Sequence, residues 1–79
     1  MKVHVRLFAS LDRYAPSGKK ADDHAVTLEG EATVGSLLDR LGVPAGVVKL
    51  IFVNGVHATP ETVLRPGDRV GVFPPVAGG

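Results

Sequence analysis

The residues with the clearest chemical potential close the sequence, where "FPPVAGG" runs from Phe73 to Gly79. Pro74 and Pro75 have no N–H donor, so a strand cannot keep pairing through them. They favour a polyproline-type extension of about 3.1 Å per residue. With Val76 and Ala77 following, the segment beyond Phe73 reaches at most about 20 Å. Gly78 and Gly79 carry no Cβ, so they can thread a narrow channel and lie close against another protein's backbone. A carboxylate on Gly79 is unhindered but is a poor electrophile at neutral pH. Joined to AMP it becomes a mixed anhydride with a good leaving group, open to a sulfur or nitrogen nucleophile. The chemistry expected here is activation of Gly79 by ATP on a separate adenylating enzyme. No cofactor is expected on the chain itself, and no catalytic residue of its own.

The other reactive side chains converge on nothing comparable. His4, His24 and His57 have no partner at metal-ligand spacing, and His24, after Asp22 and Asp23, reads as part of a solvated loop. No metal site is expected. Ser10, Ser17 and Ser36 lack a nucleophile-elbow signature. Gly18–Lys20 lacks the upstream glycine of a phosphate-binding loop. Asp12, Asp39 and Asp68 read as a loop, a helix surface and a turn, and Tyr14 as a cover on one end of the core.

Seventy-nine residues make one domain, near the size at which a single core is barely sufficient. There is no cysteine to staple it, so the fold must rest on apolar packing. A net charge of +1 with interspersed signs provides no overall field for nucleic acid or anionic lipid. No apolar run approaches the roughly 20 residues of a membrane span, and the N-terminus has no signal-peptide pattern. The expected setting is the cytoplasm, with the protein monomeric on its own.

The elements that must hold the tail follow from periodicity. "KVHVRLF" alternates, with Val3, Val5 and Leu7 on one face and Lys2, His4, Arg6 and Phe8 on the other, which predicts a half-buried strand. A long connection from Ala9, centred on Pro16, Ser17 and Gly18, leads to a second short strand at "AVTLE". In "ATVGSLLDRLG", Val34, Leu37, Leu38 and Leu41 form one helical stripe, with Thr33 as N-cap, Gly42 in the left-handed stop position and Pro44 beyond it. Gly35 costs that helix about 1 kcal/mol relative to alanine, so packing on a sheet must hold it. "VPAGVVKL" is ambiguous, with one short helical turn as an option. "LIFVNG" reads as a buried strand ending in a tight Asn54-Gly55 turn, "VHA" as a brief return, and "DRVGVF" as a last alternating strand after a turn at Pro66-Gly67.

One helix cannot cover two sheets, so the expected architecture is a single mixed sheet of four to five strands curled around that helix. The short strands should form its edges. If the first and last strands are neighbours, Phe8 and Phe73 meet on the outward face at the base of the tail. Val56 or His57 would extend that patch into a partner interface. The expected division is a folded body over residues 1–73 and an extended tail over 74–79.

These pieces carry a family resemblance. "VRLFA", "TVGSLLDRLG", "VNG" and "LRPGDRVGVFPPVAGG" occur in the order found in the MoaD/ThiS ubiquitin-like sulfur carriers, and the terminal heptapeptide is most similar to the small subunit of molybdopterin synthase. The resemblance implies an α+β ubiquitin-like β-grasp fold with central, parallel first and last strands. It implies that a MoeB/ThiF-like enzyme adenylates Gly79 with ATP, that the glycine becomes a thiocarboxylate, and that sulfur passes to a pterin precursor in the large synthase subunit. The long loop after Ala9 argues against the thiamin branch. The same tail also suits a modifier joined to lysines, or a carrier for another pathway such as tRNA thiolation.

Overall fold

The computed structural model describes residues 1–14 and 24–75. Ser17, the Gly18–Lys20 segment, the Asp12 side chain and the tail residues Val76, Ala77, Gly78 and Gly79 lie outside the described residues. Among the described residues five strands form one sheet: β1 (Lys2–Leu7), β2 (His24–Thr27), β3 (Leu50–Val53), β4 (Val56–Ala58) and β5 (Arg69–Phe73). Their spatial order is β2-β1-β5-β3-β4. β1 and β5 are parallel neighbours at the centre, and every other pairing is antiparallel. The two short strands are the edges, as expected. This is a ubiquitin-like β-grasp sheet with one α-helix, α1 (Val34–Leu41), packed on one face.

Alternation decides which face that is. Val3, Val5 and Leu7 of β1 and Val70 and Val72 of β5 are all at most 3% exposed. They pack with Val34, Leu37 and Leu38 of the helix. Both ends of α1 are closed by local chemistry. The Thr33 hydroxyl accepts from Ser36 N–H at 3.2 Å, and Ser36 Oγ accepts from Thr33 N–H at 2.9 Å, a capping box with serine in place of the usual acid or amide. At the other end Gly42, at φ 77°, and Val43 donate back to Asp39 and Leu38, a Schellman stop.

Gly35 has a specific reason to be glycine. The segment from Thr59 to Leu64 crosses the start of α1: Gly35 N–H donates to Pro60 O at 2.8 Å and Val34 N–H to Thr62 O at 2.9 Å. A Cβ on Gly35 would stand 3.2 Å from that same Pro60 oxygen. The first N–H groups of α1 are thereby satisfied by protein.

Four expectations need correction. The connection after β1 is not all turn: Ala9–Tyr14 coils into a 3₁₀ helix that buries Leu11. His24 is not in a solvated loop. It opens β2 opposite Val5, on the core side, and is buried. β2 itself runs from His24 to Thr27 rather than from Ala25 to Glu29, although Leu28 is still tied to Met1 by a backbone bond of 2.7 Å. β3 is not a wholly buried strand. Ile51 alone of its four residues is fully enclosed: Leu50 and Phe52 stand on the face with no layer over it, and Val53, on the helix side, is only partly buried against the core. The ambiguous "VPAGVVKL" stretch contains a single 3₁₀ turn at Ala45–Val47.

Candidate functional site: an aromatic row at the base of the tail

The chain has three phenylalanines, and none of them is in the core. All three stand on the sheet face opposite α1. Phe8 follows the last residue of β1, and its N–H donates to Val72 O at 3.0 Å, extending the parallel ladder by one step. That step sets Phe8 beside Phe73. The two rings stack with centroids 4.1 Å apart and planes 6° from parallel. Phe52 of β3 meets Phe73 edge-on at 5.8 Å and 87°. His57 of β4 meets Phe52 at 5.7 Å and 66°. At the other end the Arg6 guanidinium lies over Phe8, 5.1 Å from its centroid. Arg6, Phe8, Phe73, Phe52 and His57 thus form one continuous row across four strands.

Register explains the row. Arg6 opposes Gly71, Gly71 opposes Phe52, and Phe52 opposes His57. Gly71 is the gap that lets the rings lean in: a Cβ there would meet Phe8 Cε2 at 3.4 Å and Phe73 Cε1 at 3.7 Å. A shallow groove of about 340 Å³ lies along the row, with His4, Arg69 and Gly55 also on its walls. Each ring pair contributes on the order of 0.5–1.5 kcal/mol beyond its buried area. The three rings are nevertheless only partly enclosed. The core is built from aliphatic residues, and the three phenylalanines stand together, partly enclosed, on the opposite face of the sheet.

The expected meeting of Phe8 and Phe73 is therefore present, and His57 continues it. Val56 does not. It opposes Val53, which opposes Val70, so it belongs to the helix-side row, 68% exposed beyond the edge of the core. Phe52 was not anticipated from the sequence. Its signal is the alternation within "LIFV" combined with the adjacency of β3 and β5, and only the latter was missing. Pro74 is half-buried and Pro75 exposed where the chain leaves β5. The position of that exit is held by Lys49 N–H donating to Phe73 O at 2.8 Å.

The opposite end of β5 is fastened by Asn54. Its Nδ2 donates to Asp68 Oδ1 at 2.9 Å and its Oδ1 accepts from Arg69 N–H at 3.0 Å. Asn54 and Gly55 both have positive φ, 53° and 82°, the geometry of a two-residue hairpin turn. Among the described residues no cluster of three or more His, Asp or Glu side chains could hold a metal ion, and no helix is long and apolar enough to cross a membrane.

Comparison with known proteins bears on this geometry. The model of the Mut7-C ubiquitin family matches residues 1–78. Among solved structures, SAMP1 of Haloferax volcanii, the small archaeal modifier protein 1, is 26% identical with a TM-score of 0.73, over 100% of both chains. A Pyrococcus furiosus protein assigned as molybdopterin converting factor subunit 1 is 28% identical with a TM-score of 0.71, over 96% of this chain and 99% of that one. A structure of subunits 1 and 2 of the Helicobacter pylori molybdopterin-converting factor in complex matches at 24% identity and TM-score 0.62, over 100% of both chains, a likeness of fold alone. No curated protein matches the chain.

Proposed function

Because this chain belongs to the Mut7-C ubiquitin family, we propose that it is a sulfur carrier acting in molybdopterin synthesis. The observation that carries the proposal is its whole-length likeness to the Pyrococcus furiosus subunit, joined to a half-exposed aromatic row at the exact strand end from which "PPVAGG" departs. In this reading the chain is a substrate and carrier and catalyses nothing itself. The Gly79 carboxylate attacks the α-phosphorus of ATP on an adenylating enzyme of MoeB/ThiF type, and pyrophosphate leaves. A hydrosulfide-level donor then attacks the acyl carbon and AMP leaves, giving the thiocarboxylate. Sulfur is finally surrendered to the pterin precursor on a large synthase subunit. The aromatic row is the face that seats the chain on each partner, so that the proline-stiffened tail reaches the reacting centre.

The likeness to SAMP1 favours a second reading, in which an amine of a target protein displaces AMP and an isopeptide bond forms. Intact mass of the protein from its native host separates the two. Replacement of one oxygen by sulfur at Gly79 adds about 16 Da and supports the carrier. A branched peptide ending in Gly79 on a lysine supports the modifier. An unmodified acid under conditions where molybdenum cofactor is being made refutes both.

A further inference from the structure

The sheet face that bears the aromatic row is cationic. Lys2, His4 and Arg6 alternate outward along β1, Arg69 opens β5, and His57 ends the row on β4. None of the five strands contains an Asp or Glu. The acidic residues among those described, Asp12, Glu29, Glu31, Asp39, Glu61 and Asp68, belong to the 3₁₀ helix after β1, to α1 or to connections. Lys2, Arg6 and Arg69 are exposed, and among the described residues none of the three has a carboxylate partner. Three of the chain's nine Lys and Arg residues, Lys2, Arg6 and Arg69, thus lie on the aromatic face, with no acidic residue on the strands beside them.

We propose that this face docks a partner protein whose contact surface is an apolar socket ringed by Asp and Glu, and that Arg6 and Arg69 steer the encounter while the rings hold the complex. The inference rests on the carrier reading and names the chemistry of its partner. Charges at the rim of an interface act mainly on association, whereas buried aromatic anchors act on dissociation. Two other occupants fit the geometry less well. An isologous pair of copies would set Lys2, Arg6 and Arg69 against their own equivalents. Single-stranded RNA needs open ring faces for its bases. Here Phe8 already carries both the Arg6 guanidinium and the stacked Phe73 ring, and Phe73 also meets Phe52 at 87°.

The test is association kinetics of the full chain with the adenylating enzyme encoded by the same genome, at 50 and 500 mM NaCl. Wild type should associate more slowly as salt rises, since the Debye length shrinks from about 14 to 4 Å. Arg6→Glu with Arg69→Glu should lower the association rate about tenfold at low salt and abolish its salt dependence, with little change in dissociation. The Arg6→Gln, Arg69→Gln pair, which keeps size and adds no negative charge, should fall between them. Phe8→Ala should instead speed dissociation. Association that ignores both arginine variants, with a complex still formed, overturns the inference and leaves the carrier reading standing. Failure of wild type to bind the enzyme at all overturns both. Tighter binding to a twelve-nucleotide oligouridine than to the enzyme, or self-association through this face in sedimentation, also overturns it.

Discussion

Phe8 and Phe73 are 65 positions apart in sequence and stack at 4.1 Å, 6° from parallel, because β1 and β5 run side by side in the same direction. The stack sits where the chain leaves the sheet, so any partner that receives the tail must approach it. Phe8→Ala should cost about 1–2 kcal/mol of stability, the size of one ring contact plus partial burial, and Phe73→Ala about 1 kcal/mol more because Phe73 also meets Phe52. Each should weaken binding to the adenylating enzyme at least tenfold. Urea unfolding and binding titrations on the same samples check this. A loss of about 4 kcal/mol with unchanged affinity would make the rings part of the core instead.

Gly71 is the floor beneath the rings. Gly71→Ala places its methyl at ordinary contact distance from Phe8 and Phe73 and should be nearly neutral. Gly71→Val should push the rings apart. Its better strand propensity, worth at most about 1 kcal/mol, should not offset the lost stack. Aromatic ring-current shifts in proton NMR report the separation directly, and unperturbed shifts in the valine variant would refute the account.

Gly35→Ala sets a helix-propensity gain of about 1 kcal/mol against a Cβ only 3.2 Å from the Pro60 carbonyl, an oxygen already held by the Gly35 N–H. The oxygen cannot retreat without lengthening that bond. The variant should therefore melt lower than wild type. A higher melting temperature would show that the 59–64 segment yields freely.

Gly78→Val should block activation more than it lowers stability. A β-branched side chain restricts the backbone and widens the segment that, in the carrier reading, would thread the enzyme. ATP–pyrophosphate exchange at the wild-type rate in this variant would show that no narrow channel is used. Extending the chain by one residue beyond Gly79 should likewise abolish exchange while the unfolding curve stays in place.

Local chemistry made much of this molecule legible in advance. Alternation in "KVHVRLF" and "DRVGVF" assigned the inward valines, since side chains on a strand leave to opposite faces every residue. Thr33 and Gly42 bounded the helix through caps that need only adjacent residues, and Asn54-Gly55 announced its turn because both positions take positive φ. Residues whose surroundings come from distant segments are not legible in this way. His24 looked solvated beside two aspartates, yet β1 pairing carries it to the core side. Leu11 was lost in a stretch of turn formers. Gly35 looked like a defect until the Thr59–Leu64 segment was seen to cross it.

The sequence by itself determined the inward and outward faces of the first and last strands, and the helix and its ends. The family resemblance already implied central, parallel first and last strands, but only the tertiary structure decided that β3 lies beside β5, because that pairing is set by how the helix-side faces share one core. That order, β1-β5-β3-β4, lines up Arg6, Phe8, Phe73, Phe52 and His57 in a single row. It also turns Val56 to the opposite face, because Val56 shares the register of Val53 and Val70.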